Sequence, residues 1–286
     1  MEIKTIGVLG AGAMGNGIAQ VCAQNGYQVI MRDIADEFVQ RGIKNVTKIL
    51  SRGVEKGTMT EDEKNTVLGR IKGTTTMDDL TDVDFVIEAV LEDLDLKKQV
   101  FKELDELTRP EVILSTNTSS MSITEIAAAT KRRDRIAGMH FFNPVPVMKL
   151  VEVIKGMDTS DETVKITWEL SDALGKVPVL VKKDMPGFIV NRLMVVQVME
   201  AIKVYEEGIA SIEDIDKAIK AGLNHPMGPF ELMDLTGLDI HYHVNEYYHR
   251  ELNQELKHVT PFTLKNMIRA NKLGRKTGEG WYKYGT

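Results

Sequence analysis

One histidine of the chain lies where a predicted strand runs into a turn, and its imidazole could do acid–base chemistry there. His140 opens the stretch "HFFNP" (residues 140–144), and Glu152 follows in "KLVEVI", which has the pattern of a further strand. An imidazole exchanges a proton near neutral pH, and a carboxylate on its second nitrogen fixes the tautomer and stabilises the imidazolium. His140 and Glu152 could therefore act as an acid–base pair. A single histidine more often has a structural role, so a catalytic role for His140 depends on the strands and loops predicted around it.

The N-terminal thirty residues carry a glycine pattern that binds phosphate in other proteins. The stretch Lys4–Asp33 has a strand pattern up to Leu9, then glycines with the spacing GxGxxG, then helical spacing that buries Cys22, then a second strand. In this arrangement the turn and the helix N-terminus hold the pyrophosphate of a dinucleotide. The predicted cofactor-binding residues of the turn are Gly10, Gly12, Ala13, Met14 and Gly15.

The residue at the end of the second strand indicates which dinucleotide binds. Asp33 could accept hydrogen bonds from the hydroxyls of the adenine ribose, which favours NAD over NADP. Its neighbour Arg32 could instead accommodate a 2′-phosphate. The pattern also fits FAD, and Asp33 could be a solvated strand end, so the sequence favours NAD with these alternatives open.

Polar side chains follow several further predicted strands. Glu92 comes after "DFVIEAV", and Asn117, Ser119 and Ser120 come after "EVILST". Ligands bind at the carboxyl ends of the strands in open parallel sheets, so these residues are candidates for the same cleft as His140. Ser122 belongs to a capping box with Glu125. The alternation of strands and helices through residue 181 predicts a doubly wound sheet of about eight strands.

An insertion of two helices lengthens the connection between the second and third strands. Helical spacing runs from Asp36 to Leu50, and a capping box at Thr60 and Glu63 opens a second helix. We expect this insertion to project from the sheet. Lys48, Arg52 and Lys56 make the insertion locally basic, which fits a solvated helical face and also fits a landing site for a phosphate-bearing substrate.

The character of the chain changes near residue 184. The stretch "KKDMPGF" contains the proline and glycine of a boundary, and helical patterns follow it, with a long helix predicted from Gly187 to Glu206. Only "GWYKY" near the end resembles a strand. The predicted fold is α/β: an N-terminal Rossmann-type doubly wound sheet with a helical insertion (residues 1–184), then a smaller all-α C-terminal domain (residues 185–286). The apolar content of that domain favours a dimer interface.

Composition limits the possible partners and surroundings. The 286 residues are 43% hydrophobic and 27% charged, with a formal net charge of −6. This balance gives no reason to expect nucleic acid as a partner, and no apolar run is long enough to span a membrane. Cys22 is the only cysteine, which fits a reducing compartment. We therefore predict a cytoplasmic protein, and no metal site is predicted.

Six motifs together resemble one family. They are the N-terminal fingerprint, "NTSS" (117–120), "HFFNPVPVMKLVEV" (140–153), "DMPGFIVNR" (184–192), "HPMGPFELMDLTGLD" (225–239) and "RKTGEGWYKY" (275–284). Their combination resembles the L-3-hydroxyacyl-CoA dehydrogenases over the full length of the chain. The likeness is closest to the bacterial members that act on 3-hydroxybutyryl-CoA.

The resemblance implies an activity and a role for particular residues. It implies an oxidoreductase that interconverts 3-hydroxybutyryl-CoA and acetoacetyl-CoA with NAD(H), with His140 as the general base and acid and Glu152 as its partner. Ser119 and Asn191 match the pair that holds the substrate. Lys56, and after it Arg52, are the nearest matches for binding coenzyme A. Similar proteins are homodimers joined through the helical domain. The residues that match NAD contacts are Asp33, Glu92, Lys97, Ser119, Asn143 and Lys276, to which the position of Asn117 after its strand adds that residue.

Two other functions stay open at this point. One is a dehydrogenase for a small 3-hydroxy acid without coenzyme A, for which a lysine-based site would be expected. The other is a non-catalytic NAD-binding or structural protein, because this family's fold also serves as a lens crystallin. The presence of His140, Glu152, Ser119 and Asn191 together argues against the second.

Overall fold

The computed structural model describes residues 2–252 and 259–284. The chain divides into two compact units, Met1–Met185 and Pro186–Thr286. The first unit contains all eight strands, and the second is built of helices. The fold class predicted from the sequence is confirmed.

The eight strands form one sheet. Its order is β3-β2-β1-β4-β5-β6-β7-β8, and every neighbouring pair is parallel except β6 with β7, which is antiparallel. The central strands are apolar and buried because helices cover them. The strand bounds are β1 Thr5–Leu9, β2 Gln28–Arg32, β3 Ile71–Thr74, β4 Phe85–Glu88, β5 Ile113–Thr116, β6 Ile136–Phe141, β7 Leu150–Ile154 and β8 Val177–Val181.

The helices of the first unit follow the strands in alternation. Ser122 caps α5 by accepting a hydrogen bond from the Glu125 amide at 3.2 Å, as predicted. The reciprocal half of the capping box is replaced: Glu125 binds Lys98, and the Ser122 hydroxyl donates to Asp184 at 2.6 Å. The bounds are α1 Ala13–Gln24, α2 Asp36–Glu55, α3 Glu61–Gly69, α4 Leu94–Leu107, α5 Ile123–Ala127 and α6 Asp161–Ala173.

The insertion between β2 and β3 differs from the expectation in two ways. Helix α2 continues to Glu55, one turn beyond Leu50. The insertion also packs on the core of the unit instead of projecting from it, because Val46, Leu50 and Val67 are buried in the same apolar cluster as β1 and α1. Residues three and four apart share one face of a helix, so one side of α2 is buried while its basic side chains face water. The capping box at Thr60 that opens α3 is confirmed.

The second unit consists of α7 Val190–Glu206, α8 Ile212–Leu223, α9 Pro229–Thr236, α10 Leu238–Leu252 and α11 Phe262–Arg269. The first of these begins three residues later than predicted, because Phe188 adopts a left-handed conformation with φ of 49°. The stretch "GWYKY" forms no strand, and only its Lys283 makes an isolated bridge, to Glu279. Its backbone is held by Asp234, which accepts from the amides of Trp281 and Tyr282 at 2.8 Å. Among the described residues, no helix has the length and apolarity needed to cross a membrane.

Candidate active site

The glycine turn between β1 and α1 has the geometry of a phosphate-binding loop. Gly10 has φ of +95°, and a Cβ there would lie 2.4 Å from the carbonyl oxygen of Ala89. At Gly15 a Cβ would lie 1.8 Å from the carbonyl oxygen of Gly10, so only glycine allows the helix to start this close to the strand. Gly12 faces open space, because a Cβ there would meet nothing within 4 Å. The turn is tight on its inner side and open where a ligand would approach.

The N-terminus of α1 fits an anionic group. Its N-cap, Gly12, has no side chain to cap the first-turn amides, which have no intrahelical partners. Backbone N–H groups of this kind, at the positive end of the helix dipole, bind phosphate. These residues therefore fit the pyrophosphate of NAD, and Ala13 and Met14 supply amides of that first turn.

Asp33 directly follows β2 and supports the glycine turn. Its Oδ2 accepts from the Ala11 amide at 2.7 Å, and its Oδ1 accepts from the Ile34 amide at 2.7 Å. A carboxylate has about four lone-pair sites, so both oxygens can accept further hydrogen bonds from ribose hydroxyls. The neighbouring Arg32 makes a different contact, because its Nε donates to the carbonyl oxygen of Thr75 at 3.2 Å.

His140 and Glu152 form a buried pair. The antiparallel pairing of β6 with β7 places the two residues directly opposite each other. Nδ1 of His140 lies 2.8 Å from Oε2 of Glu152, and the residues are 5% and 0% exposed. The ring of Phe142 packs 4.5 Å from the imidazole, centroid to centroid, at 51°. The imidazole is therefore held by a carboxylate at one nitrogen and by an aromatic ring at its side.

A cavity of about 350 Å³ at the carboxyl ends of the parallel strands collects seven of the predicted residues. Asn117 also fixes the wall, because its Oδ1 accepts from the Phe141 amide at 2.8 Å and so joins the end of β5 to the end of β6. The peptide bond between Asn143 and Pro144 is cis. The predicted residues that line the cavity are Met14, Glu92, Lys97, Asn117, Ser119, His140 and Asn143.

A buried ion pair lies at the edge of this cavity. Nζ of Lys97 is 2.7 Å from Oε1 of Glu88 and 3.3 Å from Oε2 of Glu92. Glu88 and Lys97 are 0% and 1% exposed, so the ammonium is desolvated and held by carboxylates. Glu88 also accepts from the Val90 amide and from the hydroxyl of Thr116, each at 2.7 Å. Such complete hydrogen bonding is what a buried charge requires.

Glu92 connects the ion pair to the serine loop. Its Oε1 accepts from the hydroxyl of Thr118 at 2.6 Å and from the amide of Ser119 at 2.9 Å. Burial raises the pKa of Glu92, but the Lys97 ammonium and the hydrogen bonds from Thr118 and Ser119 more than offset this and lower it below its usual value. The carboxylate is therefore ionised at neutral pH, and the chain Glu88–Lys97–Glu92–Ser119 is continuous.

Other predicted residues lie outside this cavity. Asn191 is half-buried in the first turn of α7, within the second unit. Lys276, also in the second unit, donates to both carboxylate oxygens of Asp239 at 2.5 and 2.7 Å. Arg52 and Lys56 are exposed at the C-terminal end of α2. Their roles toward cofactor and substrate remain predictions.

Comparisons with known proteins give the same picture for both units. Residues 5–185 match the family described as "3-hydroxyacyl-CoA dehydrogenase, NAD binding domain", and residues 187–284 match "3-hydroxyacyl-CoA dehydrogenase, C-terminal domain". The chain belongs to the 3-hydroxyacyl-CoA dehydrogenase family. Its first unit is therefore an NAD-binding domain, and the cofactor predicted from the glycine turn is confirmed.

Individual relatives are similar over at least nine-tenths of their length. A 3-hydroxybutyryl-CoA dehydrogenase of Clostridioides difficile is 46% identical, with 98% of this chain and 99% of the relative covered. The human mitochondrial hydroxyacyl-coenzyme A dehydrogenase is 45% identical, with 99% and 91% covered. The crystal structure of (S)-3-hydroxybutyryl-CoA dehydrogenase from Ralstonia eutropha has a TM-score of 0.96 at 48% identity and covers both chains completely.

Sequence reasoning missed two members of the site. Glu88 and Thr118 are 0% exposed and complete the hydrogen bonding of Lys97 and Glu92. A signal for Glu88 was present, because a carboxylate inside the apolar run "FVIEAV" has to find a charged partner when the strand is buried. For Thr118 the sequence offered only its place in the polar loop after β5.

Proposed function

We propose that the protein interconverts 3-hydroxybutyryl-CoA and acetoacetyl-CoA with NAD(H), using His140 as general base and acid. The observation that carries this proposal is the buried His140–Glu152 pair at 2.8 Å, in a cavity of the NAD-binding domain. The substrate is inferred from the printed names of the relatives in Clostridioides difficile and Ralstonia eutropha.

The proposed chemistry separates a proton from a hydride. In the oxidation, His140 takes the proton of the 3-hydroxyl group on Nε2, since Nδ1 is engaged by Glu152. NAD, held at the glycine turn, would supply the acceptor for the hydride that leaves C3. The positive charge that develops on the imidazole is stabilised by the Glu152 carboxylate, which is itself too buried to be screened by water. In the reverse direction, His140 returns the proton to the 3-oxygen of acetoacetyl-CoA.

The coenzyme A moiety would bind to the exposed face of α2. Arg52 lies four residues before Lys56, so both project from one side of the helix end. Both side chains are exposed, so their charges can bind phosphate. The alternative is that these residues belong only to a solvated helical face. It predicts that substituting them does not change the KM for the substrate.

The second unit offers an apolar surface for self-association. A groove of about 820 Å³ runs between α7, α8 and the start of α9, with Leu193 68% exposed on its wall. A large exposed apolar patch on a soluble chain indicates an interaction surface. The homodimer through the helical unit stays a prediction, and this groove supports it. The cytoplasmic location inferred from the single cysteine also stays a prediction.

The decisive experiment follows the loss of NADH with acetoacetyl-CoA as substrate. Free acetoacetate, tested in parallel, distinguishes a coenzyme A enzyme from a dehydrogenase for small 3-hydroxy acids. We expect turnover with the thioester and little with the free acid. Binding of NADH without turnover of either compound would contradict the proposal and favour a non-catalytic protein.

The cofactor preference should depend on Asp33. We expect the protein to prefer NADH over NADPH, and Asp33→Ala should reduce this preference about tenfold by weakening the use of NADH selectively, the scale of a lost hydrogen bond to a charged group. The measurement is kcat/KM for both cofactors. Arg32→Ala is the matched control and should keep the preference. If the wild-type protein has a higher kcat/KM with NADPH than with NADH, Arg32 and not Asp33 would determine the cofactor preference.

Ser119 and Asn191 should position the substrate as hydrogen-bond donors. Loss of either donor should lower kcat/KM for acetoacetyl-CoA by a factor that corresponds to about 1–3 kcal/mol of transition-state stabilisation. This is the usual cost when a buried polar partner is left unpaired. The variants are Ser119→Ala and Asn191→Ala, and Thr66→Ala, at an exposed position of α3, is the control. Values near that of the wild type for both variants would refute the assignment.

A further inference from the structure

The cluster of Glu88, Lys97 and Glu92 has one more negative than positive charge. The ammonium of Lys97 lies between the two carboxylates, at 2.7 Å from Glu88 and 3.3 Å from Glu92. Lys97 and Glu92 line the same cavity as His140. Glu88 lies beneath them and is 0% exposed, so water cannot screen it. The cluster therefore adds one net negative charge to the wall of the cavity.

The nicotinamide ring has to enter this cavity if the proposed function holds. Hydride leaves the carbon whose oxygen gives its proton to His140, so the hydride acceptor must approach that carbon to about 3–3.5 Å. The ring is a cation in NAD⁺ and neutral in NADH. A net negative charge in the wall then attracts the oxidised cofactor and has little effect on the reduced one.

We propose that Glu88, through this cluster, makes the site discriminate between NAD⁺ and NADH in favour of the oxidised form. The inference rests on the proposed function. Glu88 is a positioning residue here, because it does not line the cavity and acts through the Lys97 ammonium that it holds and through its own charge. Its other partners, the Val90 amide and the Thr116 hydroxyl, are neutral, so the net charge of the cluster stays negative.

The test compares the dissociation constants of NAD⁺ and NADH, measured separately by calorimetry on the full chain without substrate. Glu88→Gln removes one negative charge with almost no change in shape. The ratio Kd(NAD⁺)/Kd(NADH) should rise severalfold, because the cation loses the attraction of one negative charge that water screens little. Glu92→Gln removes the other carboxylate, whose side chain is 38% exposed, and this variant should shift the ratio in the same direction.

Two controls separate charge from packing. Thr116→Val removes a hydrogen bond to Glu88 without removing a charge, and Glu125→Gln removes an exposed carboxylate that binds Lys98 outside the cavity. Both should leave the ratio unchanged. If Glu88→Gln fails to fold, Glu92→Gln decides the outcome.

Equal weakening of NAD⁺ and NADH in the folded Glu88 or Glu92 variants would overturn the inference and leave Glu88 a packing residue. That result would not affect the proposed function, which is judged by turnover of acetoacetyl-CoA. A wild-type chain that binds the cofactors but turns over no thioester would sink the proposed function, and the ratio would still decide the charge effect. Failure to bind either cofactor would overturn both.

Discussion

His140→Gln should lower kcat with acetoacetyl-CoA by a factor of about 10² or more, the usual contribution of a positioned acid–base group. Glutamine keeps a polar side chain of moderate size, but its amide cannot exchange a proton near neutral pH. The glycine turn, Asp33 and the first turn of α1 are unchanged by this substitution, so NADH binding should survive. Steady-state turnover and fluorescence titration of NADH together measure the two effects.

A second histidine provides the control for this variant. His249 lies exposed in the last turn of α10, and His249→Gln should keep the turnover of the wild type. If His140→Gln also keeps it, the proposed mechanism is wrong even though the family assignment stands. If both NADH binding and turnover are lost, His140 has a structural role in the cavity wall instead.

Glu152→Gln should give a smaller loss in kcat than His140→Gln, about tenfold or more, with little change in the KM for acetoacetyl-CoA. The amide preserves the shape of the side chain next to Nδ1 of His140 but carries no charge. It therefore stabilises the imidazolium, which is the proton donor in the reduction of acetoacetyl-CoA, less than the carboxylate does. Since Glu152 is 0% exposed, the lost interaction is not replaced by water.

The comparison of kcat with KM is the informative part of this experiment. A residue with only a structural role would change both parameters or the folding of the chain. Glu169→Gln, on the exposed face of α6, is the charge-matched control and should alter neither. A Glu152→Gln variant with the kcat of the wild type would show that the carboxylate does not assist the imidazole.

The local parts of the fold were predictable because each rests on neighbouring residues. The turn from β1 to α1 needs glycine at Gly10 and Gly15, where any Cβ would collide with backbone oxygens, and this requirement is visible in the spacing alone. The capping box at Thr60 is equally local. The predicted strand at "GWYKY" failed because its amides are held by Asp234, nearly fifty residues away, instead of by a neighbouring strand.

The sequence by itself determined the NAD-binding turn, the two-unit organisation and the identity of the candidate acid–base residues, since short-range spacing and polar residues at strand ends carry that information. Only the tertiary structure decided how these residues combine. The antiparallel register of β6 and β7 places His140 opposite Glu152, and burial of β4 joins Glu88 to Lys97. Register and burial depend on how whole strands and helices pack, because a shift by one residue would turn each side chain to the other face of the sheet.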